Sequence, residues 1–313
     1  IKGLARDCGL DHRVFSLDES VKVEQSIGDM RLVLHCAGPF SVTSEPMVRA
    51  CLSAGVHYLD ITGEIDVFAA AHRLQDEARR ADVVLLPGVG FDVVPSDCLA
   101  ASLVRELPAA TRLRLAFEAP GGPSPGTAKT SVEGLAGGGR VRKEGRLQRV
   151  PLAWKTRRVP FAHAGRMAVT IPWGDVYTAF VSTGVPDIEV YMALPPAVIS
   201  RLKKLRWVQP LLGLGPVQRF LKNRLQSSVR GPSAQLRETS RSELWGEVSS
   251  ADGRAVAATM TTPNGYDVTV DASLGIAAHL LENDVEGGYF TPSLLMGPDY
   301  AASLRGVTFS LQA

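Results

Sequence analysis

Three short segments place glycine, proline and an acid at the ends of apolar runs. They are Cys36-Ala37-Gly38-Pro39-Phe40, Thr62-Gly63-Glu64 and Gly88-Val89-Gly90-Phe91-Asp92. Glycine allows a ligand to approach the backbone closely, and proline sets the turn that leaves a strand. Open α/β sheets bind ligands at the carboxyl ends of their strands, so three such turns would line one crevice. Asp92, in a glycine-flanked loop, is the acid there best suited to polar catalytic work. Glu64 reads equally well as a first-turn helix carboxylate, and Asp97, after Pro95, as a helix-capping one. Cys36 has no basic neighbour in sequence to lower its pKa, so it reads as a small packed residue rather than a nucleophile. The other cysteines (Cys8, Cys51, Cys98) form no CxxC pair, and the six histidines show no HExxH spacing. Reduced thiols and no zinc or iron centre are therefore expected.

The elements that must hold these turns alternate in kind over the first 118 residues. Arg13–Leu17 is a short strand candidate, followed by a polar helical stretch to Gly28. Arg31–Ala37 is an apolar run of the type found in buried parallel strands. A helix is predicted from Ser44, as N-cap, to Ala54, closed by Gly55. The strand His57–Ile61, the helix Glu64–Arg80, the strand Val83–Leu86, the helix Pro95–Leu107 and the strand Arg112–Glu118 follow. This β-α-β alternation predicts a doubly wound α/β sheet.

After Glu118 the pattern changes. Pro120–Gly126 and Gly137–Gly139 punctuate a glycine-rich connection, and strand-like runs follow at Val169–Ile171, Tyr177–Val181, Ile188–Met192, Ser242–Val248 and Ala255–Thr261. Val270–Leu281 reads as a last helix, free to pack back on the first domain, before an irregular tail. The predicted division is thus residues 1–118, a doubly wound domain, and 119–313, an α+β domain with a mostly antiparallel sheet. Between the strands, Ala197–Ser227 is helical and basic. From Val190 to Arg237 there are nine Lys or Arg and no Asp or Glu, with Arg201, Lys203, Lys204, Arg206, Arg219, Lys222 and Arg224 set among Leu, Trp and Phe. Such a surface at 201–224 suits an acidic carrier protein, a coenzyme A phosphate or an anionic membrane surface. Bulk charge, at +2 overall, does not favour nucleic acid, and no recognition motif accompanies the basic segment. No run approaches the roughly 18 apolar residues of a membrane span, and no signal peptide is visible, so a cytoplasmic protein, peripheral to a membrane at most, is expected.

The strand-end segments Leu34–Phe40, Glu45–Cys51, His57–Glu64 and Leu86–Asp97 together resemble the saccharopine-dehydrogenase-like family, in which one strand ends in C-x-G-P-F and the next in H-Y-x-D-x-x-G-E. Among its branches the chain is most similar to the one that includes trans-acting enoyl reductases, and Gly126-Thr127-Ala128, Thr130–Leu135, Trp173-Gly174-Asp175 and Thr291-Pro292-Ser293 fit that likeness over nearly the whole chain. The resemblance implies a Rossmann-type domain and a substrate domain, a homodimer among the assemblies to consider, and NADP or NAD as cofactor. It assigns Cys36, Ala37, Gly38, Pro39, Phe40, Thr62, Gly63, Glu64, Gly88, Gly90 and Phe91 to the nicotinamide side of the cofactor. Hydride transfer then needs a proton donor near the acceptor carbon, for which Asp92, Lys129 and Tyr177 are the candidates. The implied activity is reduction of a small-molecule or carrier-bound acyl substrate, including C=C reduction. A saccharopine-type C–N amino-acid dehydrogenase and a non-catalytic protein using its cofactor fold or basic surface are the alternatives.

One family feature does not occur. The family opens on a strand and a G-x-G-x-x-G turn that holds the pyrophosphate. Here Gly88-Val89-Gly90 continues as Phe-Asp-Val, and Gly213-Leu214-Gly215 as Pro-Val-Gln. Residues 1–11 align by position with the second helix of such a domain and Arg13–Leu17 with its third strand. The expectation is an incomplete Rossmann sheet lacking its first two strands because the sequence is truncated, with Arg31–Ala37 left as an apolar edge and the chain alone not competent. The residue that selects NAD or NADP would lie in the missing part.

Overall fold

The computed structural model describes residues 1–120, 137–212, 214–217, 219 and 234–312. Two sheets organise them. The first is parallel throughout and runs β1 (Leu32–His35), β2 (His57–Asp60), β3 (Val84–Leu86) and, from near the chain's end, β12 (Gly288–Tyr289). The second is mixed. In chain order its strands are β4 (Ala110–Glu118), β5 (Gly139–Lys143), β6 (Arg146–Val150), β7 (Thr156–Pro160), β8 (Gly165–Thr170), β9 (Asp187–Ala193), β10 (Arg241–Ser250), β11 (Ala255–Pro263) and β13 (Thr308–Gln312). Its spatial order is β13-β11-β10-β4-β9-β5-β6, with β7 attached through β8 to β9. Only β4 and β9 pair parallel; the other pairings are antiparallel.

The first sheet is built as its sequence predicts. β1, β2 and β3 are separated by the helices Phe40–Ala54, Ile65–His72 and Gln75–Ala81. Gly55 closes the first of these at φ 69°, a left-handed conformation that suits glycine. The strands alternate faces: Leu59, Val84 and Leu86 join one core cluster, while Tyr58 and Leu85 join another under the Phe40–Ala54 helix. The larger cluster continues without a break into Leu113, Leu115, Ile188, Val248, Met260 and Ile276, so the two sheets share a core. The helix Val94–Glu106 fills the space between them. It lies so close to β10 that a Cβ on Gly246 would stand 2.6 Å from Leu103 Cδ1, which is why that position has no side chain.

Several expectations are corrected. Arg13–Leu17 forms no strand; Phe15 and Leu17 pack against the Phe40–Ala54 side of the first sheet, while the Arg13 guanidinium pairs with Asp29. The helix read from Ser44 begins at Phe40 with Pro39 as N-cap, and Ser44 is buried inside it. Glu64–Arg80 is two helices, broken at Arg73–Leu74 where Leu74 N–H turns back to the Ala71 carbonyl, and Glu64 is the residue before the first of them. Tyr177–Val181, rich in β-formers, is part of the helix Asp175–Thr183, bounded by Gly174 and Gly184. Val176 and Ala179 are buried there at helical spacing, and that packing overrides strand propensity. β4, read as a strand of the first sheet, pairs instead with β9 and β10 of the second. Its place beside β3 is taken by β12, from the tail read as irregular. The arginine-rich strands β5, β6 and β7 carry no apolar run and gave no signal in sequence.

The helix read in sequence as the last spans Gly265–Glu282 and packs against both β1 and β11, and two short helices, Pro292–Met296 and Tyr300–Ser303, follow it. Its N-cap Asn264 accepts hydrogen bonds from the Tyr266 and Asp267 N–H groups. The basic segment is helical over Pro196–Leu205, then 3-10 over Arg206–Val208. Lys222 and Arg224 lie outside the described residues. Among the described residues no helix is long and apolar enough to cross a membrane.

Candidate functional site

The three turns singled out in sequence do converge at the carboxyl ends of β1, β2 and β3. After β1 the chain is open to solvent at Cys36, Ala37 and Gly38, and half-buried at Pro39 and Phe40. The Gly38–Pro39 peptide is cis. Thr43 Oγ1 donates to the Ala37 carbonyl at 2.8 Å, and the Phe40 ring meets His35 edge-on at 5.4 Å, so the turn is held from both sides.

Glu64, after β2, closes the N-terminus of the Phe40–Ala54 helix. One carboxylate oxygen accepts the Phe40 N–H and the other the Ser41 N–H, each at 3.1 Å. The first-turn role expected for Glu64 is thus transferred to a neighbouring helix, 24 residues away in sequence. Helix N-termini attract anions, and this one is already satisfied by the protein's own carboxylate. It offers no seat for a cofactor phosphate.

Asp60, the last residue of β2, ties the second turn to the third. It is fully buried. Its Oδ1 accepts from the Thr62 and Gly88 N–H groups, both at 2.9 Å, and its Oδ2 from the Tyr58 hydroxyl at 2.8 Å. Burial nonetheless outweighs these bonds and pushes its carboxyl up to about 6. The sequence reading passed over Asp60, although its place in the H-Y-x-D-x-x-G-E segment was the available signal. Thr62, Gly88 and Gly90 are buried behind the crevice and shape the turns. Gly88 needs its glycine, at φ 82° and with a Cβ position 2.8 Å from the Phe68 ring.

Asp92 sits where the third turn faces the second. Its Oδ2 lies 3.0 Å from the position of a Cβ on Gly63, and its carbonyl accepts from Trp173 Nε1 at 2.8 Å. Desolvation raises the Asp92 carboxyl to about 6. Phe91 N–H donates to Thr269 Oγ1 at 3.0 Å, so the Gly265–Glu282 helix holds this loop from the far side. Two further buried acids support the loop from behind. Asp175 accepts from Ser96 Oγ at 2.8 Å, its second oxygen has no partner among the described residues, and burial beside Asp97 and Asp92 pushes it well above the ordinary carboxyl range. Asp97 takes bonds from Ser182 Oγ and, at 2.8 Å, from Ser293 N–H rather than from its own helix, so it joins elements and is not a cap. Although Cys36 is solvent-exposed, partial desolvation of its thiol, with Asp60 adding to it, pushes its pKa up and leaves it a poor nucleophile.

The structure sets Cys36–Phe40, Gly63, Glu64, Phe91 and Asp92 at the neighbouring carboxyl ends of β1, β2 and β3, with Trp173 bonded to the Asp92 carbonyl and Asp175 buried behind the loop, neither of which sequence reasoning had placed there. It sets Tyr177 elsewhere. The Tyr177 hydroxyl is 2.9 Å from His72 Nδ1, at the far end of the helix that starts at Ile65, eight residues or about 12 Å along. Lys129 lies outside the described residues. Cys36–Gly38 leaves backbone exposed at the carboxyl end of β1, the end at which open α/β sheets bind ligands. No G-x-G-x-x-G turn is present to hold a pyrophosphate.

A parallel sheet with glycine- and proline-containing turns at its strand ends, packed on a mixed sheet, is a Rossmann-type α/β architecture. In sequence the chain is similar to proteins described as saccharopine dehydrogenase-like oxidoreductases. It is 35% identical over 83 residues to the mouse saccharopine dehydrogenase-like oxidoreductase, covering 26% of this chain and 18% of that protein. It is 34% identical over 88 residues to the trans-acting enoyl reductase of Mycobacterium leprae, covering 27% and 21%. The likeness in sequence is thus confined to about a quarter of the chain, less than the motifs implied, and spans about a fifth of each relative. No protein-family profile matches. The fold likeness is broader: saccharopine dehydrogenase (L-Glu forming) of Saccharomyces cerevisiae superposes with a TM-score of 0.60 over 100% of this chain and 92% of that one, at 10% identity.

Proposed function

We propose that this chain is the crevice-bearing part of an NAD(P)H-dependent oxidoreductase that reduces an acyl or lipid-like substrate at a C=C bond. The observation that carries the reading is Asp92, an acid raised to about 6 whose carboxylate lies against Gly63 after β2, the strand that pairs with β1, at whose end Cys36–Gly38 is exposed. A nicotinamide bound there supplies the hydride. The chain's own residues supply position and a proton. Cys36, Ala37 and Gly38 present backbone to the ring, Phe40 and Gly63 wall the crevice, and Glu64 holds the turn that carries them. When hydride reaches the β-carbon of an enoyl group, the α-carbon takes a proton from the Asp92 carboxyl, and the carboxylate is reprotonated from water. A donor works best with a pKa near the operating pH, which burial gives Asp92. The likeness to a trans-acting enoyl reductase supports the substrate class. The cationic groove formed by Arg149, Lys203, Lys204 and Arg206 beside the exposed Trp207 is where an acidic carrier of the acyl group would dock.

The test is titration of the full-length protein that carries this chain with NADPH and NADH, followed by turnover of an enoyl-thioester panel and of amino-acid substrates. Asp92→Asn should lower kcat on the enoyl substrate by about 10² to 10⁴-fold and leave nucleotide affinity unchanged. Absence of binding of either nucleotide overturns the reading. Turnover of amino acids in place of enoyl substrates assigns the chain to C–N dehydrogenation instead.

A further inference from the structure

Beyond β12, the outer strand on the side of the first sheet away from β1, lies a cavity of about 590 Å³. Its walls include His72, Gln75, Arg142, Tyr177, Tyr289 and Phe290. Three strands separate it from the Cys36–Phe40 turn, and the proposed reduction uses none of its residues.

Arg142 is the unusual member. It is only 6% exposed, and no carboxylate among the described residues pairs with it. Its Nε donates to the Val176 carbonyl at 2.8 Å and its Nη1 to the Gly145 carbonyl at 2.7 Å. Its guanidinium lies 4.0 Å from the centre of the Phe180 ring and 5.7 Å from that of Tyr177. These contacts fix the guanidinium in place, and burial pushes its pKa down. A buried cation that lacks a counterion is costly, because carbonyl dipoles and ring faces replace only part of its hydration. The rest of the wall combines the rings of Tyr177, Phe180, Tyr289, Phe290 and His72 with the polar side chains of Gln75 and Arg79. His72 stacks on Tyr289 at 4.5 Å and 20°, and holds the Tyr177 hydroxyl through Nδ1. The Tyr289 hydroxyl, buried behind the stack, has no partner among the described residues. Val181 and Leu294 complete an apolar rim.

We propose that this cavity binds a small organic carboxylate with an aromatic or branched apolar body. The carboxylate would meet the Arg142 guanidinium and the Tyr177–His72 pair, and the apolar body would lie against Tyr289 and Phe290. The volume is within the range of small-molecule sites, and an apolar wall with a few fixed polar groups, here the buried Arg142 foremost, is their usual chemistry. The cation selects a carboxylate over its uncharged analogue, and the aromatic wall selects an organic anion over an inorganic one.

The test is calorimetry and thermal shift on the whole chain with benzoate, phenylacetate and isovalerate, against benzamide and inorganic phosphate. At least one carboxylate should bind and raise Tm, with benzamide and phosphate at least tenfold weaker. Arg142→Met should abolish the response while circular dichroism and nucleotide titration stay as in the wild type. Leu294→Trp fills the cavity from a half-exposed position and should do the same, which keeps the test decisive if the Arg142 variant does not fold. No carboxylate binding up to 10 mM (about −2.7 kcal/mol by the affinity relation), binding that survives Leu294→Trp, or equal binding of benzamide or phosphate overturns the proposal. None of these outcomes bears on the Asp92 crevice.

Discussion

Gly287 offers a direct test of how β12 joins the first sheet. A Cβ built there would lie 2.5 Å from Val83 N, 2.6 Å from the Ala78 carbonyl oxygen and 2.6 Å from Asp82 Cα. All three are backbone atoms, so no side-chain rotation relieves the overlap. Gly287→Ala must therefore push β12 off β3. Two ladder bonds, Gly288 N–H to the Val83 carbonyl and Phe290 N–H to the Leu85 carbonyl, both 2.9 Å, are then strained or lost. At about 0.5–1.5 kcal/mol each they contribute about 2 kcal/mol. Tyr289, only 5% exposed, is partly re-exposed, which adds about 1–2 kcal/mol. The expected destabilisation is about 3–4 kcal/mol, measured by urea unfolding followed by circular dichroism. Gly184→Ala is the control: its φ is +71° but nothing lies within 4 Å of the added carbon, so only the backbone preference of about 1 kcal/mol is at stake. Equal losses at the two positions, or less than about 1 kcal/mol at Gly287, would refute the close-packing argument.

Three further outcomes follow from the crevice. Glu64→Ala frees the Phe40 and Ser41 N–H groups and should cost about 2 kcal/mol, with Glu64→Gln losing less because its amide oxygen still accepts one bond; thermal unfolding checks both. Asp60 binds its proton more tightly in the folded protein, at about 6 against 3.8, so its contribution to stability is full below about pH 4 and declines as pH rises through 6, by about 3 kcal/mol at 1.36 kcal/mol per unit. Asp60→Asn keeps acceptors for Thr62 and Gly88 and should remove that slope; parallel stability curves for variant and wild type between pH 4 and 7 would count against it. For the same reason, enoyl reduction limited by proton delivery from Asp92 should fall as pH rises above about 6, and a flat kcat profile from pH 5 to 8 would exclude Asp92 as donor.

Much of the first sheet was legible because its signals are local. Apolar runs ending in glycine or proline marked β1, β2 and β3, Gly55 marked a helix end, and the turns that follow the strands carry the crevice residues that include Asp92. A parallel strand buried on both faces writes itself into a continuous stretch of sequence. The resemblance to saccharopine-dehydrogenase-like proteins rested on those same turns. What remained invisible depends on partners far along the chain. Glu64 caps a helix other than its own, Asp175 meets Ser96 across 79 residues, and His72 meets Tyr177 across 105. β4 left the first sheet for the second, and a two-residue strand from the tail took its place, because pairing is decided by which edge is free and not by local pattern. Tyr177–Val181 shows the same competition, its β-forming residues wound into a helix by the burial of Val176 and Ala179. The sequence by itself determined where strands end and which chemistry gathers there. Only the tertiary structure decided which acids are buried, and so which hold a proton near neutral pH, because desolvation arises from everything packed around a carboxyl rather than from its neighbours in the chain.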